Sequence, residues 1–218
     1  TWVHEAKTPL VAAHLMLENL DDALADGVQS QEAREKVDAL AEEVDRVEGY
    51  IEQALFYARS ESLDRDYVVR NASLQSIVSS ALRRNARTMI SAHVAPICRG
   101  LELEVFADEK WVEFILGQLI QNSVKYAREE GAQLLFSASR VNVGRADDCV
   151  KLVVRDNGCG VPAADLDRVF DRGFTGENGR SGKRSTGIGL YLVRRLCDKM
   201  GLGVVARSER GEFFEVEI

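Results

Sequence analysis

The sequence predicts an α+β protein in two parts: an N-terminal antiparallel helical hairpin, then a two-layer α/β sandwich. Three observations carry this expectation. Apolar residues recur in heptads from Val3 to about residue 60. Beyond residue 70, strand-like and helix-like segments mix without alternating one for one, which argues against a doubly wound parallel sheet and for helices layered on a mixed sheet. Only three prolines occur in 218 residues, as suits a helix-rich chain.

In the first part, Val3, Leu10, Leu17 and Leu24 stand seven apart, with Ala6, Ala13 and Leu20 between them. Ala25-Asp26-Gly27 breaks that helix. A second series then runs through Val37, Val44, Ile51 and Ala58, interleaved with Leu40, Val47 and Ala54. Two heptad-patterned helices joined by a short turn make an antiparallel hairpin. One hairpin cannot cover both of its seams, whereas two hairpins paired as a four-helix bundle can. Residues 1–62 are therefore expected to form a homodimer; the alternative is that the hairpin packs on the rest of its own chain. Polar, aperiodic sequence follows, and a linker is expected over 63–70, with the second domain over 71–218. In that domain, strands are expected over 67–70, 95–99, 101–106, 133–143, 149–156, 203–207 and 213–218. Helices are expected over 74–90, 108–128 and 187–200. Residues 171–186 hold several glycines and no periodicity, which reads as a functional lid.

Composition narrows the function. At 45% hydrophobic and 29% charged residues the chain can bury a core. With 28 basic residues against 35 acidic, the net charge of -7 argues against a nucleic-acid partner. No apolar run reaches the ~18 residues of a membrane span. Cys98, Cys149, Cys159 and Cys197 form no C-x-x-C pair, so neither zinc nor a disulfide framework is indicated, and reduced thiols of a cytosolic compartment are expected. The sequence opens at Thr1 with helical periodicity already running, as a piece cut from a longer protein would.

Four segments carry chemistry. In His4-Glu5-Ala6-Lys7-Thr8-Pro9, an imidazole just off the apolar seam can act as a nucleophile near neutral pH. Glu5 can orient or deprotonate it, Thr8 lies one turn along on the same face, and Pro9 bends the helix beside it. In the segment 118–126, Gln118, Asn122 and Lys125 share one helix face, a carboxamide suited to Mg²⁺ next to a lysine suited to phosphate. Asp156-Asn157-Gly158-Cys159-Gly160 ends a strand with a hydrogen-bond acceptor and spaced glycines, which let a flat ligand approach the backbone. Thr186-Gly187-Ile188-Gly189-Leu190 opens a helix whose first N–H groups can meet phosphate. The residues around Gly182-Lys183 do not make a Walker A loop. Taken alone, these segments also read as a surface histidine, a solvated helix face and an Asn-Gly turn.

In this order and spacing the sequence resembles the bacterial sensor histidine kinases over essentially its whole length. His4-Glu5-x-Lys7-Thr8-Pro9 is similar to the family's H box and Gln118 to Tyr126 to its N box. Asp156-x-Gly158-x-Gly160 is similar to the G1 box, Val169 to Phe174 to the F box, and Thr186 to Leu190 to the G2 box. Gln118 stands where asparagine is usual, and Gly211-Glu212-Phe213 replaces the terminal Gly-x-Gly-Thr element. Trp2 to Pro9, Gln118, and Gly173 to Arg180 further resemble the intramembrane-sensing kinases that respond to cell-envelope antibiotics.

The resemblance implies a dimerisation and phosphotransfer hairpin joined to an ATP-binding domain of the GHKL type. It implies ATP and Mg²⁺ as cofactors. Asp156 would accept from the adenine amino group, with Gly158 and Gly160 permitting close approach. Asn122 would ligate Mg²⁺, Lys125 would contact phosphate and Tyr126 would lie beside the nucleotide. Thr186, Gly187, Gly189 and Leu190 would hold the phosphates, joined by Arg172 when the lid closes. His4 would attack the γ-phosphorus with Glu5 as base, and Thr8 would position water for the reverse phosphatase reaction. The phosphoryl group would pass to an aspartate in the receiver domain of a response regulator. The full-length protein would be anchored in the cell membrane, beside an ABC transporter, with this part on the cytoplasmic side. The rivals are a GHKL ATPase clamp and a nucleotide-binding dimeric scaffold without phosphotransfer.

Overall fold

A computed structural model of the chain describes residues 11, 13, 15–17, 20, 31–60, 67–146, 148–176 and 187–218. The chain divides into two compact units, Thr1–Glu61 and Ser62–Ile218. In the first, Val11, Ala13, Leu15, Met16, Leu17 and Leu20 are helical. The helix α1 (Gln31–Ser60) follows. Leu17 is buried against Val37 and Ala41, with Val44 packed beside them, and Leu55 is buried further along α1. Residues 37, 41, 44 and 55 fall on the first and fifth heptad positions. The fourth-position row lies outside: Leu40 is 53% and Val47 44% exposed, and Ala54 is exposed as well. One seam is thus covered within the unit and a second apolar row is left at the surface. The expected turn at 25–27 lies outside the described residues.

The second unit is a mixed five-stranded sheet under helices, with a separate two-stranded ribbon. Its elements are β1 (Arg70–Ser73), α2 (Leu74–Arg84), α3 (Ala86–Ser91), β2 (Ala95–Arg99), β3 (Glu104–Ala107), α4 (Glu109–Lys125), β4 (Gln133–Val141), β5 (Cys149–Asp156), α5 (Ala163–Leu166), α6 (Gly189–Met200), β6 (Val205–Glu209) and β7 (Phe213–Glu217). The strand order is β2-β4-β5-β7-β6, with β2 parallel to β4 and the remaining pairs antiparallel. Alternate residues of the strands (Leu134, Phe136, Leu152, Val154, Phe214 and Val216) are buried on one face. Ile77 and Val78 of α2, Ile115, Leu116 and Ile120 of α4, and Leu192, Val193 and Leu196 of α6 are buried as well, and α4 contacts both α2 and α6. At ~1.5–3 kcal/mol for each large side chain buried, this core is the main source of the unit's stability. Cys197 belongs to it, and burial pushes its thiol up to about 12, so it is an inert core thiol.

Caps set the helix bounds. The Ser73 hydroxyl accepts from the Ser76 N–H at the start of α2. The Asp108 carboxylate accepts from the Lys110 N–H at 3.1 Å to open α4, and its other oxygen takes the Val68 N–H at 2.9 Å. Gly201, at φ 68°, ends α6 in the left-handed conformation.

Three expectations are corrected. The helix expected over 74–90 is broken at Asn85, whose side-chain amide donates to the Ala81 carbonyl at 2.8 Å and so competes with the helical backbone. The strand expected over 67–70 begins only at Arg70, because the Val68 N–H is committed to Asp108. The strand expected over 101–106 is instead β3, which pairs with β1 rather than joining the main sheet, with small Ala72 and Ala107 on its buried side. The short helix α5 is a single turn, too short to show a periodicity in the sequence. Among the described residues no helix is long and apolar enough to cross a membrane.

Candidate nucleotide site

The site is built around the end of β5. The register pairs Asp156 with Leu134 of β4 and with Phe214 of β7, and its side chain turns inward with only 6% exposure. A buried carboxylate without partners would be costly. Here both oxygens are held: the Ser123 hydroxyl donates to Oδ2 at 2.8 Å and the Gly158 N–H donates to Oδ1 at 2.9 Å. Burial pushes the Asp156 carboxyl above the usual carboxylate range. The Gly158 and Ser123 donors, the Phe214 backbone and the Arg128 charge pull it back down.

The loop that follows is pinned on both sides. Asn157 turns outward, accepting from the Gln133 N–H at 2.8 Å and donating to the Gly131 carbonyl at 2.9 Å. The Cys159 N–H donates to the carbonyl of Tyr126, the residue that caps α4, and the Gly211 N–H donates to the Cys159 carbonyl. Gly160 lies against the Glu209 carbonyl. A Cβ on Gly158 would sit 2.4 Å from the Tyr126 carbonyl oxygen and 3.0 Å from Asp156 Oδ1. Gly158→Ala is therefore expected to destabilise the second unit by ~1–3 kcal/mol. Denaturant unfolding reads this, and a wild-type midpoint would contradict the close approach.

The last turn of α4 brings half-buried Asn122, Lys125 and Tyr126 next to that loop, with Lys125 Nζ 5.6 Å from the centre of the Tyr126 ring. Gln118 departs from expectation. It does not share an open face with Asn122 but is buried at 5% exposure, because it follows Trp111, Phe114 and Ile115 along the core stripe. A second turn joins Gly173 to Gly187. Gly187, at φ 64°, would place a Cβ 2.4 Å from the Gly173 carbonyl carbon, and the Gly173 N–H donates to the Gly187 carbonyl at 3.0 Å. This contact brings the turn carrying exposed Arg172 against the start of α6, where Gly189 and half-buried Leu190 lie. The first N–H groups of a helix have no helical partners and suit an anion. Arg168 stacks on Phe174 at 4.6 Å beneath the same turn. His4, Glu5, Thr8 and Thr186 lie outside the described residues.

Ser123 carries little signal in the sequence. It stands three residues after Ile120 and four after Leu119, on the buried stripe of α4, where a hydroxyl needs a partner; that spacing was the available signal. Among the described residues no cluster of three or more His, Cys, Asp or Glu side chains is arranged to hold a metal.

Comparison with known proteins agrees with this geometry. Residues 107–218 match the family described as histidine kinase-, DNA gyrase B-, and HSP90-like ATPase, and residues 1–63 match the His Kinase A (phospho-acceptor) domain. The chain belongs to the sensor histidine kinase family. As such, it is 33% identical over 214 residues to the sensor histidine kinase YxdK of Bacillus subtilis, covering 97% of this chain and 60% of that protein. It is 29% identical over 211 residues to the sensor protein BceS of Halalkalibacterium halodurans, covering 97% and 58%. It is 30% identical over 219 residues to the sensor histidine kinase GraS of Staphylococcus haemolyticus, covering 97% and 56%. The chain thus spans 56–60% of the length of these relatives. It shares its fold with full-length ShkA in complex with AMPPNP, at TM-score 0.66 and 24% identity over 100% of this chain and 44% of that one. It also shares its fold with the Acinetobacter baumannii histidine kinase AdeS, at TM-score 0.59 and 18% identity over 99% and 96%.

Proposed function

We propose that this kinase-family chain binds Mg-ATP in the second unit, transfers the γ-phosphoryl group to His4, and passes it to an aspartate in the receiver domain of a response regulator. The observation that carries this reading is the buried Asp156 carboxylate, held by two donors beside the turn that bears Asn122, Lys125 and Tyr126. Asp156 accepts from the adenine amino group, and the glycines at 158 and 160 let the loop pack closely on the Tyr126 and Glu209 carbonyls, which fixes Asp156 in place. Lys125 and Arg172 meet phosphate charge. Gly187, Gly189 and Leu190, with Thr186, hold phosphate through backbone N–H groups at the start of α6.

Mg²⁺ suits the Asn122 end of the site, because the ion takes oxygen ligands, keeps several waters and needs only one or two protein contacts beside nucleotide phosphates. When bound there it neutralises phosphate charge. An imidazole nitrogen of His4 forms a bond to the γ-phosphorus as the bond to the bridging oxygen breaks, and ADP leaves with the electron pair. Glu5 accepts the imidazole proton. Such a transfer asks the protein mainly for positioning and charge neutralisation. Thr8 positions water when the regulator is dephosphorylated.

The exposed row of Leu40 and Val47 supports a homodimer, in which a second hairpin covers it. The boundaries 1–62 for the phosphotransfer hairpin, 63–70 for the linker and 71–218 for the catalytic domain belong to the same reading. So does a membrane-anchored full-length protein next to an ABC transporter, on the strength of the Trp2 to Pro9 and Gln118 motifs.

Asn122→Asp tests the catalytic part, because it puts a second anion where phosphate must sit. Labelling by γ-labelled Mg-ATP should fall by at least about tenfold, the effect of one misplaced charge in a partly buried site. Unchanged labelling and Mg-ATP affinity would remove Asn122 from the metal site.

A further inference from the structure

We infer that Ser123 sets the base preference of the nucleotide site: its hydroxyl holds the Asp156 carboxylate as an acceptor, which selects a purine with a 6-amino group over one with a 6-oxo group. This inference rests on the reading of the cleft as an ATP site, and it assigns Ser123 a positioning role.

Ser123 and Asp156 are 4% and 6% exposed, so no bulk water competes for their bond. At 2.8 Å it has the usual length of a hydroxyl–oxygen hydrogen bond. A carboxylate has about four lone-pair positions. Ser123 occupies one on Oδ2 and the Gly158 N–H one on Oδ1, and the Phe214 backbone supplies a third donor, which leaves one position to accept from a ligand. A 6-amino group donates to such an acceptor, and a 6-oxo group faces it with like polarity. A protonated Asp156 would reverse this choice, since it could donate to a 6-oxo group.

Burial favours that protonated form, and the groups opposing it are Ser123 on α4, the Gly158 and Phe214 backbone, and the Arg128 charge. Removing the serine hydroxyl leaves burial less opposed, so the carboxyl takes its proton at higher pH. Ser123 also ties α4 to β5, a structural role that would affect every nucleotide alike. The ratio between two bases separates the roles.

The experiment measures dissociation constants for ATP and ITP, from mildly acidic to mildly alkaline pH, for the full chain and for Asp156→Asn, Ser123→Ala and Ser123→Thr. The full chain should prefer ATP. Ser123→Ala should lose about tenfold of that preference, the typical effect of one hydrogen bond to a charged group. Its acid limb of ATP binding should move up by about one pH unit. Ser123→Thr, which keeps the hydroxyl, should restore both. Equal weakening of ATP and ITP with an unmoved pH profile would overturn the inference. If Ser123→Thr melts early, the alanine ratio and profile decide the question. Failure of the full chain to bind ATP, or full ATP affinity in Asp156→Asn, would instead overturn the ATP reading itself.

Discussion

His4→Ala is expected to abolish incorporation of the γ-phosphate and to leave ATP affinity at the wild-type value. The reason is the division of labour along the chain. His4 belongs to the unit Thr1–Glu61, while Asp156, Asn122, Gly158 and Gly187 all belong to the unit Ser62–Ile218. In the proposed mechanism, loss of His4 would remove the acceptor for the phosphoryl group without touching the groups proposed to hold the nucleotide. Labelling and equilibrium nucleotide binding, measured on the same preparation, check both halves. Residual acid-labile label on the alanine variant would remove His4 as acceptor.

Asp156→Asn has a second large effect, of opposite sign on binding and on stability. In the proposed site, binding would lose a charged acceptor for the adenine amino group, and ATP affinity should fall by ~10–100-fold. Stability follows from linkage. Burial raises the Asp156 carboxyl above its unfolded value, so the folded unit holds that proton more tightly than the unfolded chain does. The stability tied to this proton is fully present below the unfolded value and is lost as pH rises through the folded value. Asparagine removes that dependence. The ligand-free variant should therefore match or exceed the wild type in thermal unfolding at neutral and alkaline pH, with the difference shrinking on acidification. A deficit independent of pH would contradict this.

Much of the sheet was legible in sequence because its strands carry their own signals. Cys149–Asp156 is a short valine-rich apolar run that ends at Asp156-Asn157-Gly158, and Ala95–Arg99 ends at Gly100. Elements decided by one side chain were not legible. Asn85 breaks a helix by a bond to Ala81, and Asp108 delays a strand by taking the Val68 N–H; neither contact is visible in periodicity. The site divides in the same way. Asp156, Gly158 and Asn122 stood out because their residue types suit the chemistry. Ser123 and the Tyr126 carbonyl did not, since one resembles filler within a motif and the other is backbone that any residue would supply. Gln118 is polar by residue type, but its spacing from Trp111 and Phe114 puts it on the buried stripe of α4.

The chemical stability of the labelled protein tests the central claim most directly. After incubation with γ-labelled ATP and Mg²⁺, the sample is divided between acid and alkali. Transfer to His4 creates a phosphorus–nitrogen bond, so the label should be lost in acid and kept in alkali. A label that survives acid would be an ester on a hydroxyl and would contradict a histidine kinase.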